Sequence, residues 1–168
     1  MKWIRLFLAA LFTAVILMGC SLSVEKQNEN SKTQQVSDTI LDEMEGPPKN
    51  GHTLERHVGK SDRELEERIK RDHVTAASTY YDKETAIKAV RESLSIHDNE
   101  IKKWLDESNR DRIVLNTHHS FPVGKTVLKS DMSVHEDIHD TITVLAKDPS
   151  SQLKYKIITS YPNLKRGK

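Results

Sequence analysis

The stretch DTITVLAKDPSSQLKYKIITSYP, Asp140–Pro162, decides the fold. Two β-rich runs, DTITVLAK and QLKYKIITSYP, flank Asp148-Pro149-Ser150-Ser151. Proline presets φ for a tight turn, and Asp and Ser bond their own nearby backbone. Two strands joined so closely must run antiparallel. Working backwards, GKTVLK and RIVLNTH carry the same β-rich pattern between turn signals. In the last run Leu153, Tyr155, Ile157, Thr159 and Tyr161 fall on one face of an ideal strand. Leu153 and Ile157 make that the core-facing side near its start, and Thr159 and Tyr161 then emerge together at its mouth. Both residues also suit a strand by shape alone, so spacing leaves their role open.

Further upstream the pattern becomes helical. Ser61-Asp62-Arg63-Glu64 has the capping-box form, in which serine and glutamate satisfy the free N–H groups of a helix start. The helix runs to about Asp72, with Leu65 and Ile69 as an i, i+4 apolar stripe. At about 100° per residue, Arg68 lies about 60° from Leu65, beside the stripe, while Arg63 lies about 160° away and faces solvent. AASTYY, Ala76–Tyr81, reads as a short strand. Asp82 caps a helix over 83–96 with Ile87, Val90 and Leu94 inward. Asp98 caps another over 99–108, with Ile101, Trp104 and Leu105 inward. Helices first and an antiparallel sheet after them argue an α+β domain.

Three segments precede or form that domain. Residues 1–19 have the form of a signal peptide: Lys2 and Arg5, then the uncharged LFLAALFTAVILM, too short for a comfortable span. The run ends in Leu17-Met18-Gly19-Cys20, which resembles the bacterial lipoprotein signal. That resemblance implies cleavage before Cys20, a lipid on its sulfur, and attachment to the cell membrane on its extracytoplasmic face. Residues 20–50 are rich in Ser, Asn, Gln and Glu and are expected to be a disordered tether. Within it Val36, Ile40, Leu41 and Met44 have partial helical spacing, and Gly46-Pro47-Pro48 ends it. Residues 51–168 suffice for one small domain.

Composition narrows the chemistry. Cys20 is the only cysteine, so the core holds without an intrachain disulfide. The chain has 26 Lys+Arg against 25 Asp+Glu. Removing residues 1–19 takes away Lys2 and Arg5 and no acid, leaving 24 against 25. A near-neutral domain is no global nucleic-acid binder. Its end is locally basic, with Lys154, Lys156, Lys165, Arg166 and Lys168 and no acid after Asp148. That suits RNA phosphate, or simply a solvated tail.

GHTLERHVG, Gly51–Gly59, holds two histidines five apart. On a helix that step leaves them about 140° apart, and on a strand it puts them on opposite faces. The zinc-protease pattern needs a four-residue step and a glutamate beside the first histidine. A shared metal site for His52 and His57 is therefore disfavoured, and His118-His119 and His135/His139 lack carboxylate or cysteine partners at ligand spacing. The stretch reads as a loop entering the capped helix.

Taken with Ser61-Asp62, Leu65 and Arg68, Ala77-Ser78-Thr79-Tyr80, Asp82, the tryptophan-bearing helix, Pro122-Val123-Gly124 and Thr159-Ser160-Tyr161-Pro162, GHTLERHVG resembles a bacterial toxin family. It is similar to the RNase A-like C-terminal toxin domain of contact-dependent inhibition systems, over roughly residues 50–162. The resemblance implies a curved antiparallel sheet with helices, as in pancreatic ribonuclease but without its disulfides. It implies metal-independent RNA cleavage, with no cofactor, by 2′-hydroxyl transesterification to a 2′,3′-cyclic phosphate. Carried over, the site residues are His57, Arg68, Thr159 and Tyr161. His57 directly precedes the Val-Gly that leads into the capped helix; His52 is the second candidate. The expected partners are RNA, an immunity protein, and the membrane through Cys20, with the chain itself a monomer. The alternative function is a non-catalytic envelope lipoprotein that binds RNA or a protein through the same cleft. Domains of this family generally end a very large exported protein, whereas this one follows a lipoprotein signal and a short tether.

Overall fold

The computed structural model describes residues 36–165; the signal-peptide segment, Cys20, residues 20–35 of the tether, Arg166 and Lys168 lie outside the described residues. In chain order the elements are α1 Ile40–Met44, α2 Thr53–His57, α3 Asp62–Asp72, β1 Ala76–Tyr80, α4 Lys83–Ile96, α5 Asp98–Glu107, β2 Arg112–His118, β3 Gly124–Leu128, β4 Val134–Ile138, β5 Asp140–Lys147 and β6 Tyr155–Pro162. The strands form two antiparallel sheets of three, ordered β1-β3-β4 and β2-β5-β6. The class is α+β, as the patterns imply, with the sheet divided in two.

The local signals act as their chemistry requires. Ser61 Oγ accepts from Glu64 N while Glu64 Oε2 accepts from Ser61 N, a complete capping box for α3. Asp82 Oδ1 accepts from Thr85 N at 2.7 Å and starts α4. The helix α5 differs slightly: His97 occupies its cap position, and Asp98 is the first helical residue, paired with Lys102. Ser151 N donates to Asp148 O, closing the turn between β5 and β6.

One cluster, including Val90, Trp104, Leu115, Leu145 and Ile157, fills the space between α4, α5 and the β2-β5-β6 sheet. A smaller one packs Leu65 and Ile69 of α3 against Ala77 and Val127 of the other sheet.

Four features depart from the sequence expectations. Residues 40–44, expected within the tether, form α1, and Ile40, Leu41 and Met44 are buried in the main core. Three such side chains stabilise by about 1.5–3 kcal/mol each, enough to hold a helix of only five residues within a polar stretch. The loop expected over GHTLERHVG contains the five-residue helix α2. The strand β4 has no clear sequence signal: its residues are mostly exposed, and Asp137 has φ 53°. Finally, β6 bulges against β5, because Val144 pairs with Thr159 but Leu145 with Ile157, so that Ile158 is the extra residue. A bulge reverses the alternation of side chains beyond it. Thr159 and Tyr161 therefore share a face, but the one opposite Ile157, and Ser160 takes the inward position. Ser160 Oγ bonds Tyr80 Oη at 2.6 Å and Thr143 Oγ1 at 2.8 Å.

Candidate active site

The helix α2 is too short to stand on propensity. Glu45 holds its start, accepting from Leu54 N at 3.0 Å and Glu55 N at 2.8 Å. Two further bonds fix it to β6: His52 N donates to Ile158 O at 3.1 Å, and Ser160 N donates to Thr53 Oγ1 at 2.9 Å. Gly51 sits where an added Cβ would lie 2.3 Å from Met44 O and 2.8 Å from Ile157 O, so the chain can pass here only as glycine. These constraints place the last residue of α2, His57, beside the end of β6.

His57 is 5% exposed, and its ring stacks on Tyr161 with centroids 5.0 Å apart and planes at 23°. Its Nδ1 lies 3.1 Å from Ser78 O. A carbonyl only accepts, so Nδ1 carries the proton and Nε2 carries the lone pair. Burial, assisted by the charge of Arg68, lowers the imidazole from 6.5 to about 3, against the opposing bond to Ser78. His57 is neutral at pH 7.

Arg68 comes from α3. Its side chain is 18% exposed, whereas that of Arg63 is 88% exposed and pairs with Glu67, as the helical angles require. Arg68 Nη1 donates to Arg56 O at 3.1 Å and lies 3.4 Å from His57 Nδ1, a contact between two donors. Asp72 Oδ2 is 3.5 Å from its Nε. Burial lowers its pKa against the pull of Asp72, but a guanidinium stays charged at any working pH. Thr159 Oγ1 is buried and has no hydrogen-bond partner among the described residues. Burial raises Tyr161, which keeps its proton at neutral pH.

His52, His57, Arg68, Thr159 and Tyr161 all line one cleft of about 500 Å³, whose floor is built by β1 and β3. His52 is lowered by burial first and then by Arg56. The five sequence candidates are thus brought together from α2 and its cap, α3 and β6. Among the described residues, no group of three or more His, Cys, Asp or Glu side chains is placed to hold a metal ion. Sequence reasoning missed Ser78, whose carbonyl sets the His57 tautomer; a backbone acceptor leaves no residue-type signal. It also missed Glu45 and Asp72. The i, i+4 spacing of Arg68 and Asp72 would have shown the second.

A small α+β domain with a histidine and an arginine facing hydroxyl donors across a cleft has the layout of an RNase A-like nuclease. Residues 51–162 match the family described as the bacterial CdiA-CT RNAse A domain, and the chain belongs to that family. The crystal structure of a CdiA-CT/CdiI complex from Y. kristensenii 33638 contains a similar chain, 30% identical with a TM-score of 0.64; the match covers 68% of this chain and 100% of that one. No curated protein matches. The domain is a ribonuclease of the contact-dependent inhibition toxin class.

Proposed function

We propose that the chain is a metal-independent endoribonuclease that cuts RNA by internal transesterification and is displayed as an extracytoplasmic lipoprotein. The convergence of His57, Arg68, Thr159 and Tyr161 on one cleft carries the catalytic half of this reading. His57 Nε2 takes the proton of a ribose 2′-hydroxyl as that oxygen bonds to the adjacent phosphorus. The bond from phosphorus to the 5′ oxygen breaks, and the leaving oxygen takes a proton from solvent. The products are a 2′,3′-cyclic phosphate and a 5′-hydroxyl.

Arg68 offers paired donors to the phosphoryl oxygens as charge builds on them. Thr159 Oγ1, unpartnered among the described residues, and the Tyr161 hydroxyl donate to the same oxygens. A base at about 3 is weak, but a bound phosphodiester beside the ring raises it by favouring the imidazolium.

The signal-like segment and Cys20 support lipid anchoring outside the cytoplasm. The solved relative is in complex with CdiI, which supports a dedicated immunity partner for this chain.

Digestion of RNA by the full chain tests the catalytic reading. Cleavage should survive EDTA and disappear in a folded His57→Ala variant. Intact RNA with folded wild-type protein, or loss on EDTA treatment, contradicts it. Cys20→Ala should release the protein from membranes; unchanged membrane attachment sinks the anchoring claim.

A further inference from the structure

The helix that ends in His57 is not capped from its own cap position. α2 starts at Thr53, and His52 just before it makes no side-chain cap hydrogen bond among the described residues. A helix start leaves its first N–H groups without partners, and the residue at the cap position ordinarily serves those of the second and third helical residues. Here those residues are Leu54 and Glu55. Their N–H groups donate to Glu45, one to each carboxylate oxygen, at 3.0 and 2.8 Å. The cap therefore comes from further upstream in the chain. The imidazole of His52, relieved of that task, lines the cleft instead.

Glu45 is itself firmly held. Ile40, Leu41 and Met44 of α1, just before it, are buried in the main core. Just after it the chain turns back, with Gly46 N donating to Gly51 O and Gly51 N to Met44 O, each at 2.9 Å. Lys49 Nζ lies 2.6 Å from Asp148 Oδ2, which ties the same turn to the connection between β5 and β6. Residues 40–50 all lie upstream of Gly51, where the family's domain begins. A helix as short as α2 does not persist alone in water. The imidazoles at its two ends thus depend on a carboxylate from outside that domain.

We propose that Glu45 is a positioning residue of the ribonuclease site: it caps α2, sets His57 at the far end of that helix, and leaves His52 free for the cleft. This rests on the RNA-cleaving reading of the same cleft. Arg68 and Thr159 belong to α3 and β6 and keep their places without Glu45. Residues 40–50 are on this account part of the enzyme rather than a spacer.

The test compares the full wild-type chain with Glu45→Ala, Glu45→Gln and Asp38→Ala. Asp38 lies in the same upstream segment but pairs with Arg91 of α4. In Glu45→Ala, with the fold checked by circular dichroism, kcat on RNA should fall about 5- to 30-fold, as loss of one cap shifts a local folding equilibrium. KM should change little, because Arg68 and Thr159 still hold the phosphate. Glu45→Gln keeps one acceptor oxygen and should fall between, and Asp38→Ala should match wild type. The second readout is an NMR titration of the His57 ring without RNA. In wild type, burial first and then the charge of Arg68 keep the ring neutral, so it is silent between about pH 5 and 8. In Glu45→Ala water reaches the ring, and it should titrate in that range. A mere loss of folded protein would lower the active fraction and leave this titration unchanged. If Glu45→Ala unfolds, Glu45→Gln decides by the same two readouts. Wild-type kcat in both Glu45 variants, a His57 ring that stays silent in both, or an equal loss in Asp38→Ala overturns the proposal. No RNA cleavage by wild type, with the His57 titration appearing in the Glu45 variants, supports the positioning role and removes the ribonuclease reading.

Discussion

The buried imidazole of His57 links stability to pH in a way that can be isolated. Folding holds it neutral, with a pKa of about 3 against an ordinary 6.5. Below pH 6.5 the unfolded chain takes up a proton that the folded chain refuses. The unfolded state then binds more protons, so stability falls as pH drops from 6.5 towards 3. At pH 5 the gap from 6.5 is 1.5 units, or about 2 kcal/mol at about 1.36 kcal/mol per unit. His57→Asn removes the titration while its amide can still donate to Ser78 O. Urea unfolding of both proteins at pH 7.5 and pH 5 cancels the titrations they share. Wild type should lose about 2 kcal/mol relative to His57→Asn between the two pH values. Parallel pH dependences would refute the claim that the ring is buried and neutral.

Two further substitutions test the scaffold and the cleft. Gly51→Ala drives a methyl into two backbone carbonyls and should cost more than about 2 kcal/mol in urea unfolding; near-wild-type stability would mean that α1 and β6 do not meet there. Arg68→Lys keeps the charge but loses the paired donors, so kcat/KM on RNA should fall about 10- to 100-fold with the fold intact; an unchanged value would remove Arg68 from the site.

Much of this architecture is legible because its signals are local. The capping box at Ser61, the cap at Asp82 and the strand Arg112–His118 are each written in adjacent residues. The side of α3 that carries Arg68 follows from helical angles and the Leu65–Ile69 stripe. The illegible parts depend on distant partners. Ile157 and Ile158 suit either face of a strand equally, so nothing in their identity marks the bulge that turns Thr159 and Tyr161 away from the core. The helix α2 is stabilised by Glu45 from outside its own window. Segment 40–44 lies in a polar stretch and folds because its three apolar side chains find the main core.

The pairing of His57 with Arg68 illustrates the same divide. Their proximity follows from the capped helix and the chain that enters it. The tautomer of His57 and its low pKa follow from the carbonyl of Ser78 and from burial against Tyr161, which no spacing records.

The most direct measurement compares an RNA oligonucleotide with the same oligonucleotide carrying 2′-deoxyribose at the cut position, each digested by the full chain in EDTA. Cleavage by the 2′-hydroxyl at the His57 cleft predicts that the RNA yields 2′,3′-cyclic phosphate ends and that the deoxy position is left intact. Cleavage at the deoxy position, or RNA products formed without any cyclic phosphate intermediate, would contradict it.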